Sequence, residues 1–281
     1  MSTAGDKVAE LFHGKAPPLN MFAADSNWFA ASDRFVPYSA LHLVTVCICL
    51  LSIVALAALG RACDGRGQTA LRRLLGLFGL LYWLSYNVWW NRNGIDVASG
   101  LPLQICDCNG VIAPLAMLTL NRSLRATLYF WAFALTTQAF IQPALQFGPA
   151  TPLFWWFWAQ HTIILGYAVF DVAVLGFRPD WRDCGRACVA GAIYLATVLP
   201  LDLWLDADYG YLGDLPATQI PPFVAALGPW PLRAVIVVGL AGLAFAVTEL
   251  PWQMARNRAV ARPRRAALTS APPCVGARSA P

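Results

Sequence analysis

Residues 101–120 read LPLQICDCNGVIAPLAMLTL, and residues 152–170 read PLFWWFWAQHTIILGYAVF. Each stretch is close to the ~20 apolar residues that a helix rising 1.5 Å per residue needs to cross about 30 Å of hydrocarbon. Each also carries a reactive side chain, Cys106 in the first and His161 in the second. Polar and ionisable groups are costly at membrane depth, so they turn to the protein interior and mark candidate functional sites. A thiol and an imidazole can together supply a nucleophile and its base.

The rest of the chain shares this character. It is 58% hydrophobic and 12% charged, with a mean hydropathy of +0.54. Soluble domains carry about 25% charged residues, so the composition is that of a membrane protein. Comparable apolar segments lie near 39–60, 70–91, 101–120, 124–142, 152–176, 184–205 and 230–250. The fourth is interrupted by Thr136, Thr137 and Gln138, and 207–229 holds too many Pro, Gly and Asp residues to span. The expected fold is therefore all-α, a polytopic membrane bundle of seven transmembrane helices over residues 39–250.

The connections supply a second test of that count. Arg61, Arg66, Arg72 and Arg73 flank the first link, Arg122 and Arg125 the third, and Arg178, Arg182 and Arg186 the fifth. Arg256, Arg258, Arg262, Arg264 and Arg265 follow the last segment, whereas the second link has Arg92 alone and the loop after segment six is acidic. Arginine marks the cytoplasmic side, which puts the N-terminus outside and the C-terminus in the cytoplasm and requires an odd number of spans. Residues 1–38, with Phe22, Trp28, Phe29 and Phe35, read as an extracytoplasmic segment that is partly interfacial. Residues 251–281 read as a basic, disordered cytoplasmic tail. The net charge of +5 follows this topology and is no sign of nucleic acid. Ala, Arg and Leu richness suggests a high-GC bacterium, and so its cytoplasmic membrane. Oligomeric state leaves no signature in the sequence.

With that orientation Cys106 lies on the order of 8 Å, and His161 on the order of 13 Å, below the outer boundary. His42, Asn87, Asn91, Gln138, Asp202 and Asp206 belong to the outer ends of other segments. Asp171 and Glu249 lie near the inner boundary. The imbalance points to a polar cavity in the outer half of the bundle. Cys106 and Asn109 share a helix face, while Asp107 and Cys108 turn away from it. Metal binding by the CDC triplet lacks a second ligand pair, and cysteines scattered along the chain do not form a disulfide framework. Neither a metal nor a cofactor is expected. Cys184 and Cys188 read as small packing residues or acylation sites. Cys106 can equally be a small buried hydrophobe, and His161 a helix-bridging group bonded to Gln138 or Asn109.

Several pieces resemble the YwaF-like family of bacterial integral membrane proteins. They are FVPYSALHL (35–43), LPLQICD (101–107), WAQHTIILGYAVF (158–170), RPDWRDCGRA (178–187), DADYGYLGDLPAT (206–218) and LGPWPLR (227–233). The chain departs from that pattern at Gln104, where the family often has His, and in an outer loop without the usual basic residues. That family is similar to the transmembrane-protein-164 acyltransferases, which move fatty acyl chains into ether phospholipids. It is more distantly similar to intramembrane hydrolases of fatty acyl esters. The resemblance implies a nucleophile at Cys106 and a base at His161.

The expected function is a membrane-embedded lipid acyltransferase or acyl hydrolase with a membrane lipid as substrate. Cys106 would attack an acyl ester after losing its proton to His161. Asn109 or Gln138 would donate to the oxyanion. Asn87 is a further candidate lining residue, and His42 would gate the pocket, hold a headgroup or cap its helix. The alternative is a transporter or small-ligand receptor using the same cavity. A third reading is a structural protein whose polar pairs only join helices.

Overall fold

The computed structural model of the chain describes residues 34–269, with side chains as far as Arg258. The expectations for residues 1–33 and 270–281 lie outside the described residues. Among the described residues every regular element is helical, and the β-type pairing present is an isolated bridge between Arg34 and Phe147.

Local chemistry sets the helix boundaries. Helix α1 (Ala40–Ala62) is capped by Ser39, whose side chain accepts from the His42 backbone N–H at 3.2 Å. Asp64 then caps α2 (Gly65–Trp90), accepting from the Gly67 N–H at 2.7 Å, so the first link is only two residues long. Helix α3 (Ile105–Thr119) stops at Leu120, which is left-handed. Asn121 starts α4 (Arg122–Phe130) by accepting from the N–H groups of Ser123 and Leu124. A π-helical turn, Trp131–Thr136, follows, then the short α5 (Gln138–Ile141). Helix α6 (Pro152–Ala173) opens on a proline, whose missing N–H is no loss at a helix start. Asp180 and Asp183 form a reciprocal capping box at the head of α7 (Trp181–Leu205). A loop with a 3₁₀ turn at Tyr209–Tyr211 and the short α8 (Pro222–Ala225) leads to α9 (Leu232–Thr269).

The interruption expected at Thr136–Gln138 is real, and it takes the form of the π turn rather than a break in the chain. Within this frame α1, α7 and residues Leu232–Arg258 of α9 are long and apolar enough to cross a membrane. Helix α3 is apolar but has only 15 residues.

Helix α6 occupies the middle, packing on α1, α2, α3, α4 and the π turn. Helix α4 lies against α7, and the π turn against α9. Gly76 and Gly79 let α2 close on α3, since a Cβ at Gly79 would lie 3.0 Å from both the Pro114 Cβ and the Tyr167 ring. The outer faces are apolar, with Leu51, Leu81, Ile193 and Val235 exposed, while Asn109, Asp171, Asp183, Asp202 and Glu249 are buried. That inside-out distribution suits a lipid surround.

Arginine and acid side chains gather at one end of the bundle. Arg125 pairs with Asp171 at 2.7 Å, Arg122 and Arg186 with Asp183 at 2.6 and 2.5 Å, and Arg256 with Glu249. Arg72 donates to the Met117 and Leu118 carbonyls at the C-terminus of α3, where a positive charge offsets the helix dipole. Arginines that the sequence suggested only as topology signals therefore also tie helix ends together.

Candidate functional site

At the other end, α3 begins without a side-chain cap. Gln104 precedes it but turns its side chain to the outer loop, accepting from the Gly210 N–H at 2.9 Å. The first turn of α3 is held by its neighbours instead. Trp83 of α2 donates from its indole N–H to the Asp107 carbonyl at 3.0 Å. Its ring packs on the bare backbone of Gly110, where a Cβ would meet the indole at 2.9 Å. From α6, the Gln160 amide donates to the Cys106 carbonyl at 3.1 Å and to the Asp107 carboxylate at 2.9 Å. Gln160, the residue before His161, thereby ties α6 to the Cys106 turn of α3.

The His161 ring stacks on Phe157 with centroids 4.2 Å apart. Its Nδ1 lies 2.7 Å from the Phe157 carbonyl, which can only accept, so Nδ1 carries the proton and Nε2 keeps the lone pair. This bond within one helix replaces the helix-bridging bond to Gln138 or Asn109 foreseen from sequence. Among the described residues, no hydrogen bond joins the Cys106 thiol to His161. The Cys106 thiol is half-buried. Thr136, buried at the end of the π turn, accepts from the Asn109 amide at 3.5 Å. Cys108 points elsewhere, with its sulfur 3.8 Å from the Pro102 carbonyl.

Other expected site residues take separate positions. Gln138 is exposed, two residues beyond Thr136. Asn87 bonds back to the Trp83 carbonyl of its own helix at 2.8 Å. His42 is buried, and its Nδ1 accepts from the Tyr38 N–H at 2.9 Å. That leaves Nε2 as the donor to the Phe140 carbonyl at 3.2 Å, so the ring joins the head of α1 to α5.

The outer loop covers the same end. Tyr209 is buried, and its hydroxyl accepts from the Leu101 N–H at 3.1 Å and donates to the Val97 carbonyl at 2.9 Å. Its backbone N–H reaches Asp202 at 2.9 Å. Arg233 holds the Gly213 and Leu215 carbonyls at 2.7 Å each. Tyr211 comes within electrostatic reach of Cys106, and burial raises its phenol above the ordinary value. Burial also pushes the Asp208 carboxyl up to about 6, against the opposing effects of the Gly213 N–H and Arg233.

A crevice of roughly 160 Å³ lies elsewhere, between α1, α2 and α6, with Thr162, Ile163, Gly166 and Tyr167 on its α6 side. At 100° per residue those four fall on the face of α6 away from His161. The crevice and the polar cluster are thus separate features.

Thr136 and Gln160 were not singled out from sequence. The first was visible as a polar break in an apolar run, and the second as the neighbour of His161. Comparison with curated proteins and with solved structures returns no match. A family model does match, over residues 37–248, which include every element from α1 to the body of α9. The chain belongs to the TMEM164 family.

Proposed function

We propose that the protein is a membrane-embedded lipid acyltransferase or acyl hydrolase in which Cys106 is the nucleophile and His161 its base. The observation that carries this reading is the His161 tautomer, with Nδ1–H anchored on the Phe157 carbonyl and a lone pair left on Nε2. A general base needs that arrangement, and a histidine serving only as a helix bridge does not. Gln160 supports the pairing by tying the His161 region of α6 to the Cys106 turn of α3. The likeness to acyltransferases at LPLQICD and WAQHTIILGYAVF adds the reaction class. The fuller topology belongs to the same proposal: seven spans, N-terminus outside, C-terminus in the cytoplasm. A YwaF-like bacterial member resident in the cytoplasmic membrane completes it.

The test uses full-length protein in nanodiscs and a long-chain acyl p-nitrophenyl ester. Wild-type protein gains an acyl group on the Cys106 peptide by mass spectrometry, and Cys106→Ala gains none. His161→Ala slows acylation by about 10²–10⁴-fold, the usual contribution of a positioned base. Equal release of p-nitrophenol by Cys106→Ala and wild type would refute the assignment.

A further inference from the structure

The acid at the centre of the CDC triplet has no part in the proposed acyl chemistry. Asp107 follows Cys106 in the first turn of α3, where an acid suits the positive end of the helix dipole. Its carboxylate also reaches α6, accepting from Gln160 Nε2 at 2.9 Å. The same nitrogen donates to the Cys106 carbonyl at 3.1 Å. A carbonyl and a carboxylate both accept, so the two N–H bonds of the amide are spent at once, one on each residue. Turned over, the amide would set its own oxygen against two acceptors. Asp107 therefore fixes which end of Gln160 faces α3, and Gln160 in turn holds the backbone of Cys106. Packing leaves the amide little freedom, since Gln160 is 6% exposed. Gly110, one turn beyond Cys106, makes room for it: a Cβ there would lie 3.4 Å from Gln160 Nε2 and 2.9 Å from the Trp83 ring. Trp83 holds the next carbonyl, that of Asp107, at 3.0 Å. Two consecutive carbonyls of this turn are thus gripped from α6 and from α2.

We infer that Asp107 and Gln160 are a pair of positioning residues for Cys106: the carboxylate orients the amide, and the amide holds the Cys106 backbone against α6. This rests on Cys106 being the nucleophile. Its base lies on another helix, and Gln160 is the neighbour of that base in sequence. A bond from Gln160 to Cys106 therefore sets the height of one helix against the other at the residues that react. Misplacing a reacting group by about 1 Å can cost about 10²-fold in rate, so such a bond matters even though it touches no substrate. In this role Asp107 neither takes nor gives a proton. What it supplies is an acceptor oxygen at a fixed place.

Single-turnover acylation of Cys106 by the acyl p-nitrophenyl ester, in nanodisc-embedded full-length protein, separates positioning from substrate binding and from proton transfer. Gln160→Leu lowers the maximal acylation rate by about 10–100-fold, while the ester concentration at half-maximal rate stays within about threefold of wild type. Asp107→Leu does the same. The double variant Asp107→Leu/Gln160→Leu falls no further than either single change, because the two side chains act as one unit. Asp107→Asn keeps an oxygen for the Gln160 N–H and recovers most of the rate lost in Asp107→Leu. A rate as low in Asp107→Asn as in Asp107→Leu would mean that the charge or proton of the carboxylate is needed, and overturns the proposal. Additive losses in the double variant overturn it too, as does an undiminished maximal rate in Gln160→Leu. Should Gln160→Leu not fold, Gln160→Met, of matching length, carries the same comparison. If wild-type Cys106 is never acylated, the nucleophile reading fails and takes this proposal with it. That outcome is distinct from an acylated wild type that is indifferent to the loss of Gln160.

Discussion

Replacing Asp171 by Ala tests how the arginine-rich end holds the bundle together. Arg125, at the start of α4, reaches both carboxylate oxygens of Asp171 at the end of α6, with three contacts of 2.7–3.0 Å. The side chains are 17% and 2% exposed. Phe177 stacks over the guanidinium at 4.7 Å and shields it further. A pair this buried differs from an exposed one, because removing one partner leaves the other charge desolvated. The loss is then about 3–5 kcal/mol, against about 0–1 kcal/mol for a surface pair. Asp171→Asn keeps an acceptor for the guanidinium and costs less than Asp171→Ala. Removing both charges in Arg125→Leu/Asp171→Leu recovers much of the loss, since no unpaired charge remains. The assay is reversible unfolding in mixed micelles by SDS titration, with wild type, Arg125→Leu, Asp171→Leu and the double variant forming a double-mutant cycle. A cost below about 1 kcal/mol for Asp171→Ala would show that the guanidinium finds water or another partner, and the reasoning would be wrong.

Two other outcomes follow from close packing and from burial. Gly79→Leu puts a branched side chain where even a Cβ lies 3.0 Å from Pro114 and Tyr167, and overpacking of that kind costs about 1–3 kcal/mol. Micelle unfolding as stable as wild type would mean that α2 and α3 can separate freely. The outer loop carries a pH dependence through Asp208, whose carboxyl burial moves from an ordinary 3.8 to about 6. Below about pH 4 the group is protonated in both the docked and the undocked loop and costs nothing. As pH rises toward 6 the undocked loop loses its proton first, so docking weakens, and above 6 the loss is complete. Hydrogen exchange of residues 209–213, corrected for intrinsic rates, therefore shows greater protection at pH 4.5 than at pH 7. Asp208→Asn flattens this difference, and an unchanged pH dependence in that variant assigns it to another group.

The membrane class and the two candidate residues, Cys106 and His161, were legible because lipid imposes simple rules. A run such as PLFWWFWAQHTIILGYAVF is costly in water, and a histidine within it is costly in hydrocarbon, so both its location and its interest follow from composition. The pairing of arginines with Asp171, Asp183 and Glu249 was less legible, because like signals at several helix ends do not say which ends meet. Thr136 was the hardest to read. A threonine pair in a helix reads as a weak spot in the apolar run, and only its surroundings distinguish Thr136 from Thr137. Gln138 drew attention as the longer amide, yet the turn leaves it exposed.

By itself the sequence determined the helical membrane fold, the family, and the turn of α3 and residue of α6 that carry the thiol and the imidazole. All of these depend on residue type and order along one segment. The tertiary structure alone decided which groups those residues touch. A π turn in the fourth segment widens the helix and places the buried Thr136 hydroxyl beside the Asn109 amide of α3. A carbonyl one turn before His161 chooses which ring nitrogen keeps the lone pair. Such choices are set by sub-ångström packing between helices distant in sequence, which no local pattern records.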